Sequence, residues 1–236
     1  MSEEILGELT SPAARLAAAR SRAYGAFAEA FEYPDQELGE LAGSGALART
    51  LREVLEAVDP ALAEGGDWQV LSQVGEDDEL AVEFTRLFDV GASGPPCPLY
   101  GGLWVGARMK TMEEVVRFFN HFGLTLSEKP RELPDHLTTE LEFVHFLAYR
   151  EAEAIEQGDD GGSYQRAQRD FLGRHLGRWV PMLRAKLETQ EPMPFFLELV
   201  RRLERFLEAD QARLVALVGP VPAGTPSALP PASPPS

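Results

Sequence analysis

Apolar residues recur at helical spacing along most of this chain. In residues 11–32, for example, Leu16, Ala23 and Phe27 fall in line on one helix face. The same spacing predicts further helices at residues 35–42, 45–58, 77–89, 111–122, 134–157, 164–180 and 194–218. No run alternates apolar and polar residues as a β-strand would. The pattern therefore predicts an all-α fold, a single-domain bundle of about eight to ten helices across residues 1–219.

Two stretches break the helical pattern. Residues 91–106 contain five glycines and three prolines, together with large apolar side chains such as Leu99 and Trp104. A long loop of this kind inside a helical domain is usually packed and often functional. Residues 220–236 consist mainly of Pro, Ala and Ser, so we expect a disordered tail after the helical domain.

The helix predicted at 134–157 carries two polar residues on its apolar face. Pro134 fits the first helical position, and Asp135 can accept backbone N–H groups of the first turn. At about 100° per residue from Asp135, the apolar residues occupy an arc from about 80° to 240°, with His136 near 100° and Glu140 near 140°. Unpaired buried polar groups cost roughly 1–3 kcal/mol each. We therefore expect a buried, hydrogen-bonded His136–Glu140 pair that ties the preceding loop to the helix.

Charge and cysteine content narrow the partners and the compartment. The chain has 236 residues and a net charge of -16, from 38 acidic and 22 basic residues. This balance argues against nucleic acid or an anionic membrane and favours a basic partner, although acidity also serves solubility alone. Cys97 is the one cysteine, so no internal disulfide can form. With neither a secretory signal nor a membrane span predicted, we expect a cytoplasmic protein.

Few catalytic or metal-binding patterns are present. Glu142 and His145 form a Glu-x-x-His unit, but a carboxylate-bridged di-metal site needs two such units, and no other histidine follows a Glu at this spacing. Glycine-rich phosphate loops and the Gly-x-Ser-x-Gly elbow are absent, and Cys97 has no partner base visible in the sequence. His136 and Glu140 could form an acid–base pair, but a structural pair is the favoured interpretation. The sequence thus predicts no catalytic set, no metal site and no cofactor.

Five ordered blocks of sequence resemble one protein family. They are Tyr24–Pro34, Glu83–Phe88 (Glu-x-x-Arg-Leu-Phe), Pro95-Pro96 with Tyr100, Pro134–Leu141 (Pro-Asp-His-x-x-x-Glu-Leu) and Phe171–Trp179. In this order they resemble the TorD/DmsD/NarJ-type redox-enzyme maturation chaperones over most of residues 20–210. The run Pro-Pro-Cys-Pro-Leu-Tyr-Gly-Gly is similar to the subgroup that serves type II enzymes of the dimethyl-sulfoxide-reductase family.

The resemblance implies a system-specific chaperone and not an enzyme. Its client would be the molybdopterin-containing catalytic subunit of a type II enzyme, held until cofactor insertion is complete and before export. The resemblance also implies binding of the client's twin-arginine leader, whose two arginines and apolar segment suit an acidic protein with an apolar groove. Two other interpretations stay open: a hydrolase or nucleotide-dependent enzyme that uses His136 and Glu140, and a generic helical scaffold. A monomer and a domain-swapped dimer are both compatible with the sequence.

The family blocks also indicate which residues contact the client. The expected contacts are Asp135, His136, Tyr100, Trp104 and Arg86. Each has a structural interpretation as well: Asp135 as a helix cap, Arg86 as half of an ion pair, and the aromatic residues as packing groups. Glu140, Leu87 and Phe88 are assigned to structural support.

Overall fold

The protein is all-α, as the sequence predicts. The computed structural model describes residues 9–75, 78–91, 94–106, 108–125 and 132–222. The helices are α1 (Pro12–Ala30), α2 (Gln36–Gly43), α3 (Ala46–Val58), α4 (Pro60–Ala63), α5 (Glu79–Phe84), α6 (Gly101–Trp104), α7 (Arg108–His121), α8 (Leu137–Glu156), α9 (Gly162–Arg174), α10 (Leu176–Glu188) and α11 (Pro194–Val218). A 3-10 turn at Trp68–Ser72 and a π-helical turn at Thr85–Asp89 lie between them. Within the described ranges no extended strand occurs, and an isolated β-bridge pairs Tyr100 with His136.

The pair formed by α1 and α8 lies at the centre of the bundle. α1 begins as predicted, because the Ser11 hydroxyl accepts the backbone N–H of Ala14 and Pro12 is the first helical residue. Its apolar face buries Tyr24 and Phe27 completely. α9 packs against α8, and α11 packs against both α9 and α10, so the C-terminal helices close one side of the core.

The interior also contains a polar network centred on Arg20 of α1. Arg20 is fully buried and donates to both carboxylate oxygens of Asp210 on α11, at 2.6 Å from Nε and 2.7 Å from Nη2. It also donates to Glu151 of α8 at 2.8 Å and to Gln168 of α9 at 2.5 Å, while the Tyr24 hydroxyl donates to Asp210 at 2.7 Å. Burial alone would raise the pKa of Asp210, but the charge and hydrogen bonds of Arg20 lower it below its ordinary value. The network therefore joins four helices around one buried arginine.

α8 begins later than predicted. Its first residue is Leu137 and its N-cap is His136, whereas the sequence pattern placed Pro134 at the first helical position and Asp135 as the backbone acceptor of the first turn. Asp135 stays outside the helix because its carbonyl and its carboxylate both accept backbone N–H groups of the preceding loop. The helix ends at Glu156, one residue before the predicted end.

The helix predicted at 164–180 is two helices, which makes that prediction wrong. The chain leaves the helical conformation at His175 (φ −119°, ψ −100°), and α10 then continues through Pro181. Gly177 follows the break closely, and a Cβ added there would lie 2.8 Å from the carbonyl oxygen of Leu172. The turn is therefore too tight for a larger residue, a constraint that apolar periodicity does not report.

Two further segments differ in detail from the sequence prediction. The predicted loop at 91–106 contains the short helix α6. The next helix, α7, begins at Arg108, so Thr111 is a buried residue inside the helix and not its predicted first residue. At the C-terminus the carbonyl of Pro222 accepts a hydrogen bond from Arg174 at 3.2 Å. The rest of the predicted tail, residues 223–236, lies outside the described residues.

Candidate functional site

The 91–106 loop meets the start of α8 through backbone hydrogen bonds. The N–H of Leu137 donates to the carbonyl of Leu99 at 2.8 Å, and the N–H of Gly101 donates to the carbonyl of Asp135 at 2.8 Å. Because these bonds lie on both sides of the Tyr100–His136 bridge, the loop is fixed along three residues. The sequence predicted that the His136–Glu140 pair ties the loop to the helix, whereas these backbone hydrogen bonds make that connection.

Asp135 fastens α6 to this junction. Its Oδ2 accepts the N–H of Gly102 at 3.0 Å, and its side chain has no exposed surface. A Cβ added to Gly102 would lie 2.8 Å from both Asp135 Oδ2 and the Cα of Arg108, so only glycine allows this approach. Burial raises the pKa of Asp135, and the hydrogen bond from Gly102 only partly offsets this shift.

His136 is the N-cap of α8 and is buried. Its Nδ1 lies 2.8 Å from the Thr138 hydroxyl oxygen and accepts the N–H of Thr138 at 3.4 Å. The Tyr100 ring packs against the imidazole edge-on, with 4.9 Å between ring centroids. Burial lowers the pKa of His136, although the nearby Glu132 opposes this shift. The imidazole thus fills a capping and packing role at the junction.

Glu140 is fully buried one turn further along α8, and it does not pair with His136. Its Oε2 accepts the indole N–H of Trp179 at 3.0 Å. The expectation that both residues are buried and hydrogen-bonded is confirmed, but each has a different partner. Glu140 Oε1 and Asp135 Oδ1 have no hydrogen-bond partner within the described residues. Burial raises the pKa of Glu140 well above its ordinary value, and the charge of Asp135 adds to this shift.

The two aromatic residues of the loop are half-buried. The Tyr100 hydroxyl donates to Glu132 Oε2 at 2.6 Å, and the Trp104 indole N–H donates to the carbonyl of Pro98 at 2.8 Å. Burial raises the pKa of Tyr100, and the hydrogen bond to Glu132 raises it further. Both rings therefore have fixed polar ends and partly exposed apolar faces, a combination that is common at interfaces.

Arg86 lies in a different set of contacts. Its guanidinium makes a bidentate ion pair with Glu83, with N–O distances of 2.7 and 2.8 Å, and also donates to the carbonyl of Gln190 at 3.3 Å. None of its hydrogen bonds within the described residues reaches the loop or the start of α8. Leu87 and Phe88, from the same turn, lie in the hydrophobic core.

Exposed apolar residues at this junction were missed at the sequence level. Leu103 is 49% exposed, Met109 is 67% exposed and Leu133 is 37% exposed. They come from α6, from the start of α7 and from the segment before α8, which the contacts of Gly102 and Asp135 bring together. We call these three residues, with Tyr100 and Trp104, the α6 surface. Large apolar residues in a glycine-rich loop were the available signal, but exposure cannot be read from periodicity.

The remaining candidate residues for catalysis or metal binding, Cys97 and His145, lie in structural surroundings. Cys97 is buried, and this burial raises the pKa of its thiol to about 11, which disfavours the reactive thiolate. His145 Nδ1 lies 2.8 Å from the carbonyl oxygen and 2.9 Å from the hydroxyl oxygen of Ser21. The described part of the chain contains no cluster of three or more potential metal ligands and no helix long and apolar enough to cross a membrane.

Comparisons with known proteins point to one family. A family model described as nitrate reductase delta subunit matches residues 40–185. A perchlorate reductase assembly chaperone protein from Dechloromonas aromatica is 36% identical over 196 residues, which is 81% of this chain and 88% of that protein. A selenate reductase assembly chaperone protein from Thauera selenatis is 34% identical over 81% of this chain and 87% of its own length. A chlorate reductase assembly chaperone protein from Ideonella dechloratans is 34% identical over 73% of this chain and 79% of its own length. The chain therefore belongs to the nitrate reductase delta subunit family, the TorD/NarJ-type family that its sequence blocks resemble.

Proposed function

We propose that this protein is a cytosolic, system-specific chaperone for the molybdopterin-containing catalytic subunit of a type II dimethyl-sulfoxide-reductase-family enzyme. The relatives named above are assembly chaperones of perchlorate, selenate and chlorate reductases. The protein binds the subunit, and the twin-arginine leader that precedes it, while the cofactor is inserted. It performs no covalent chemistry in this role.

The α6 surface is the observation that carries the proposal. It offers three exposed apolar side chains and two half-buried aromatic rings on elements fixed by hydrogen bonds. Rigid aromatic and apolar groups at the centre of a contact supply most of the binding energy in protein interfaces. The apolar segment of a leader would be buried here.

Acidic groups beside this surface suit the basic end of a leader. Glu132, Asp135 and Asp89 lie close enough to Tyr100 to raise its pKa through their charges. The chain as a whole carries a net charge of -16, which accelerates encounter with a basic peptide. In this arrangement Asp135 and His136, both buried, shape the surface from beneath, whereas Tyr100 and Trp104 contact the client.

The direct test is calorimetry of the purified protein against the leader peptide of each type II catalytic subunit encoded in the same genome, and against that subunit without its leader. We expect an affinity near micromolar, or about −8 kcal/mol. Leu103→Ser should weaken leader binding about tenfold or more, because burial of a leucine side chain contributes roughly 1.5–3 kcal/mol. Leu217→Ser is the matched control, since Leu217 is 54% exposed at the far end of α11.

The outcomes separate this proposal from the two other interpretations. A scaffold protein would bind neither the leader nor the subunit at concentrations well above micromolar, and that result would refute the proposal. An enzyme would turn over a substrate through His136 and Glu140, but each of these residues already serves a structural partner. Equal losses with Leu103→Ser and Leu217→Ser would mean that the leader binds elsewhere.

A further inference from the structure

Trp179 forms the support on which α6 rests. The indole is almost completely buried on α10, and its N–H donates to Glu140 of α8 at 3.0 Å. A Cβ added to Gly101 would lie 2.8 Å from Trp179 Nε1 and 3.0 Å from its Cδ1. The first residue of α6 therefore lies directly against the indole ring, at a distance that glycine alone permits.

Asp135 holds α6 from the other side. Its carbonyl and carboxylate oxygens accept the N–H groups of Gly101 and Gly102, the first two residues of the helix. α6 itself has only four residues, too few for a helix to be stable alone. Its position must therefore come from the groups around it, among them Asp135 and the indole of Trp179.

A buried carboxyl group at position 140 costs more free energy than an apolar side chain would, unless it makes an interaction that an apolar side chain cannot make. It has no exposed surface, and one of its two carboxyl oxygens lacks a hydrogen-bond partner within the described residues. Asp135, with a second such oxygen, is close enough to act on Glu140 electrostatically. Against these costs, the gain that the structure shows is the hydrogen bond that fixes the orientation of the Trp179 indole.

We propose that Glu140 and Trp179 are positioning residues: their buried hydrogen bond holds α6 in the orientation that presents Tyr100, Leu103 and Trp104 to the client. The expected effect on client binding rests on the proposed function, whereas the mechanical part of the inference, the fixed orientation of α6, does not. Neither residue touches the client. Both act through Gly101 and the short helix that begins there.

Hydrogen exchange of the full-length protein tests the mechanical part without any client. Trp179→Phe removes the indole N–H, and Glu140→Leu removes its acceptor. Each should raise the exchange rates of the α6 amides about tenfold, since loss of about 1.4 kcal/mol corresponds to a factor of ten. Glu140→Gln keeps an acceptor oxygen of the same shape and should restore slow exchange. Trp68→Phe is the matched control, because the Trp68 indole also donates to a carbonyl, that of Ala63 at 3.0 Å, on another part of the surface.

Calorimetry with the leader peptide tests the consequence for binding. Trp179→Phe and Glu140→Leu should weaken leader binding about tenfold, while Glu140→Gln and Trp68→Phe should stay within about twofold of the wild type. Because Trp179→Phe and Glu140→Leu each remove the same hydrogen bond, the test can still be made if one of them fails to fold. A merely structural role would lower thermal stability without a selective effect on α6 or on binding, and Glu140→Gln separates these cases.

The two proposals fail in different ways. Exchange that rises uniformly in α1 and α6, or does not rise at all, would overturn the positioning role whatever the client result. Faster exchange in α6 with unchanged leader affinity would overturn its consequence for binding. If the wild-type protein binds neither the leader nor the leaderless subunit, the proposed function is refuted, while the α6 exchange rates still decide whether Glu140 and Trp179 hold the helix.

Discussion

Arg20→Met should destabilise the protein strongly, because the arginine neutralises two carboxylates in the interior. Its guanidinium lies between Asp210 and Glu151, with N–O distances of 2.6 to 2.8 Å, and has no exposed surface. Methionine keeps much of the length and apolar volume of arginine but donates no hydrogen bonds. The variant would leave both carboxylates buried without their common cation.

The expected cost is about 3–5 kcal/mol, the range for removal of one partner from a buried ion pair. Some compensation remains, since Asp210 keeps the Tyr24 hydroxyl at 2.7 Å and Arg213 at 3.1 Å. For a chain of this length, about 1 kcal/mol corresponds to roughly 2–4 °C in Tm. We therefore expect Tm to fall by about 6–20 °C.

Circular dichroism melts and urea titrations at pH 7 measure this loss. Arg22→Met is the matched control, because Arg22 is exposed on the same helix. The double variant Arg20→Met/Asp210→Leu should lose less than the sum of the two single variants, since it removes the stranded carboxylate together with its cation. A loss below about 1 kcal/mol for Arg20→Met, or strict additivity in the double variant, would refute the reasoning.

The same variant should respond to pH in a defined direction. In the wild type the pKa of Asp210 is lowered, so its contribution is present above the unfolded pKa and is lost as pH falls through the folded one. Without Arg20, burial raises the pKa of Asp210, and protonation relieves the stranded charge. The difference in Tm between wild type and Arg20→Met should therefore shrink between pH 7 and pH 4.

Three further expectations concern the junction and the tail. Because the folded pKa of Glu140 is raised, its stabilising contribution is fully present below its ordinary value of 4.5 and is lost as pH rises through the folded value. Melts of Glu140→Gln should lack this loss, so its Tm relative to wild type should increase with pH, and a constant difference would contradict the shift. His136→Ala should cost about 1–3 kcal/mol in urea titrations, because α8 loses its N-cap and Thr138 loses a partner; an unchanged midpoint would show that the cap is dispensable. Removal of residues 223–236 should leave Tm unchanged, since this Pro/Ala/Ser-rich segment has little apolar surface to bury, and a drop of several degrees would show that it packs.

The sequence predicts helices well where terminal signals and periodicity agree. α11 runs from Pro194 to Val218 as predicted, with Pro at its first position and Gly219 after its end. The buried state of His136 and Glu140 also follows from the helical wheel. In these cases the information is local, because it depends on residues within one or two turns of each other.

Distant hydrogen-bond partners and helix breaks could not be predicted from the sequence. Arg20 lies in the apolar stripe of α1 between Leu16 and Ala23, the same kind of signal that identified His136, but periodicity cannot reveal that its partners are 131 and 190 residues away. The break at His175 depends on a close approach between Gly177 and a carbonyl oxygen, which no propensity scale reports. The α6 surface depends on the meeting of three segments in space and could not be assembled from the sequence.

The buried carboxyl groups discussed above form two groups that differ in their partners. Asp210 and Glu151 are satisfied by Arg20, and their network joins α1, α8, α9 and α11 into one unit. Among the described residues, Asp135 and Glu140 form no salt bridge, and each has one carboxyl oxygen without a hydrogen-bond partner, beneath a four-residue helix. The first group stabilises the fold. Burial of the second group costs free energy, but its carboxyl groups hold backbone and indole N–H donors in place. Under the proposed function this division is useful, because the rigid helices carry the fold while the supports beneath α6 shape the surface that we propose for client binding.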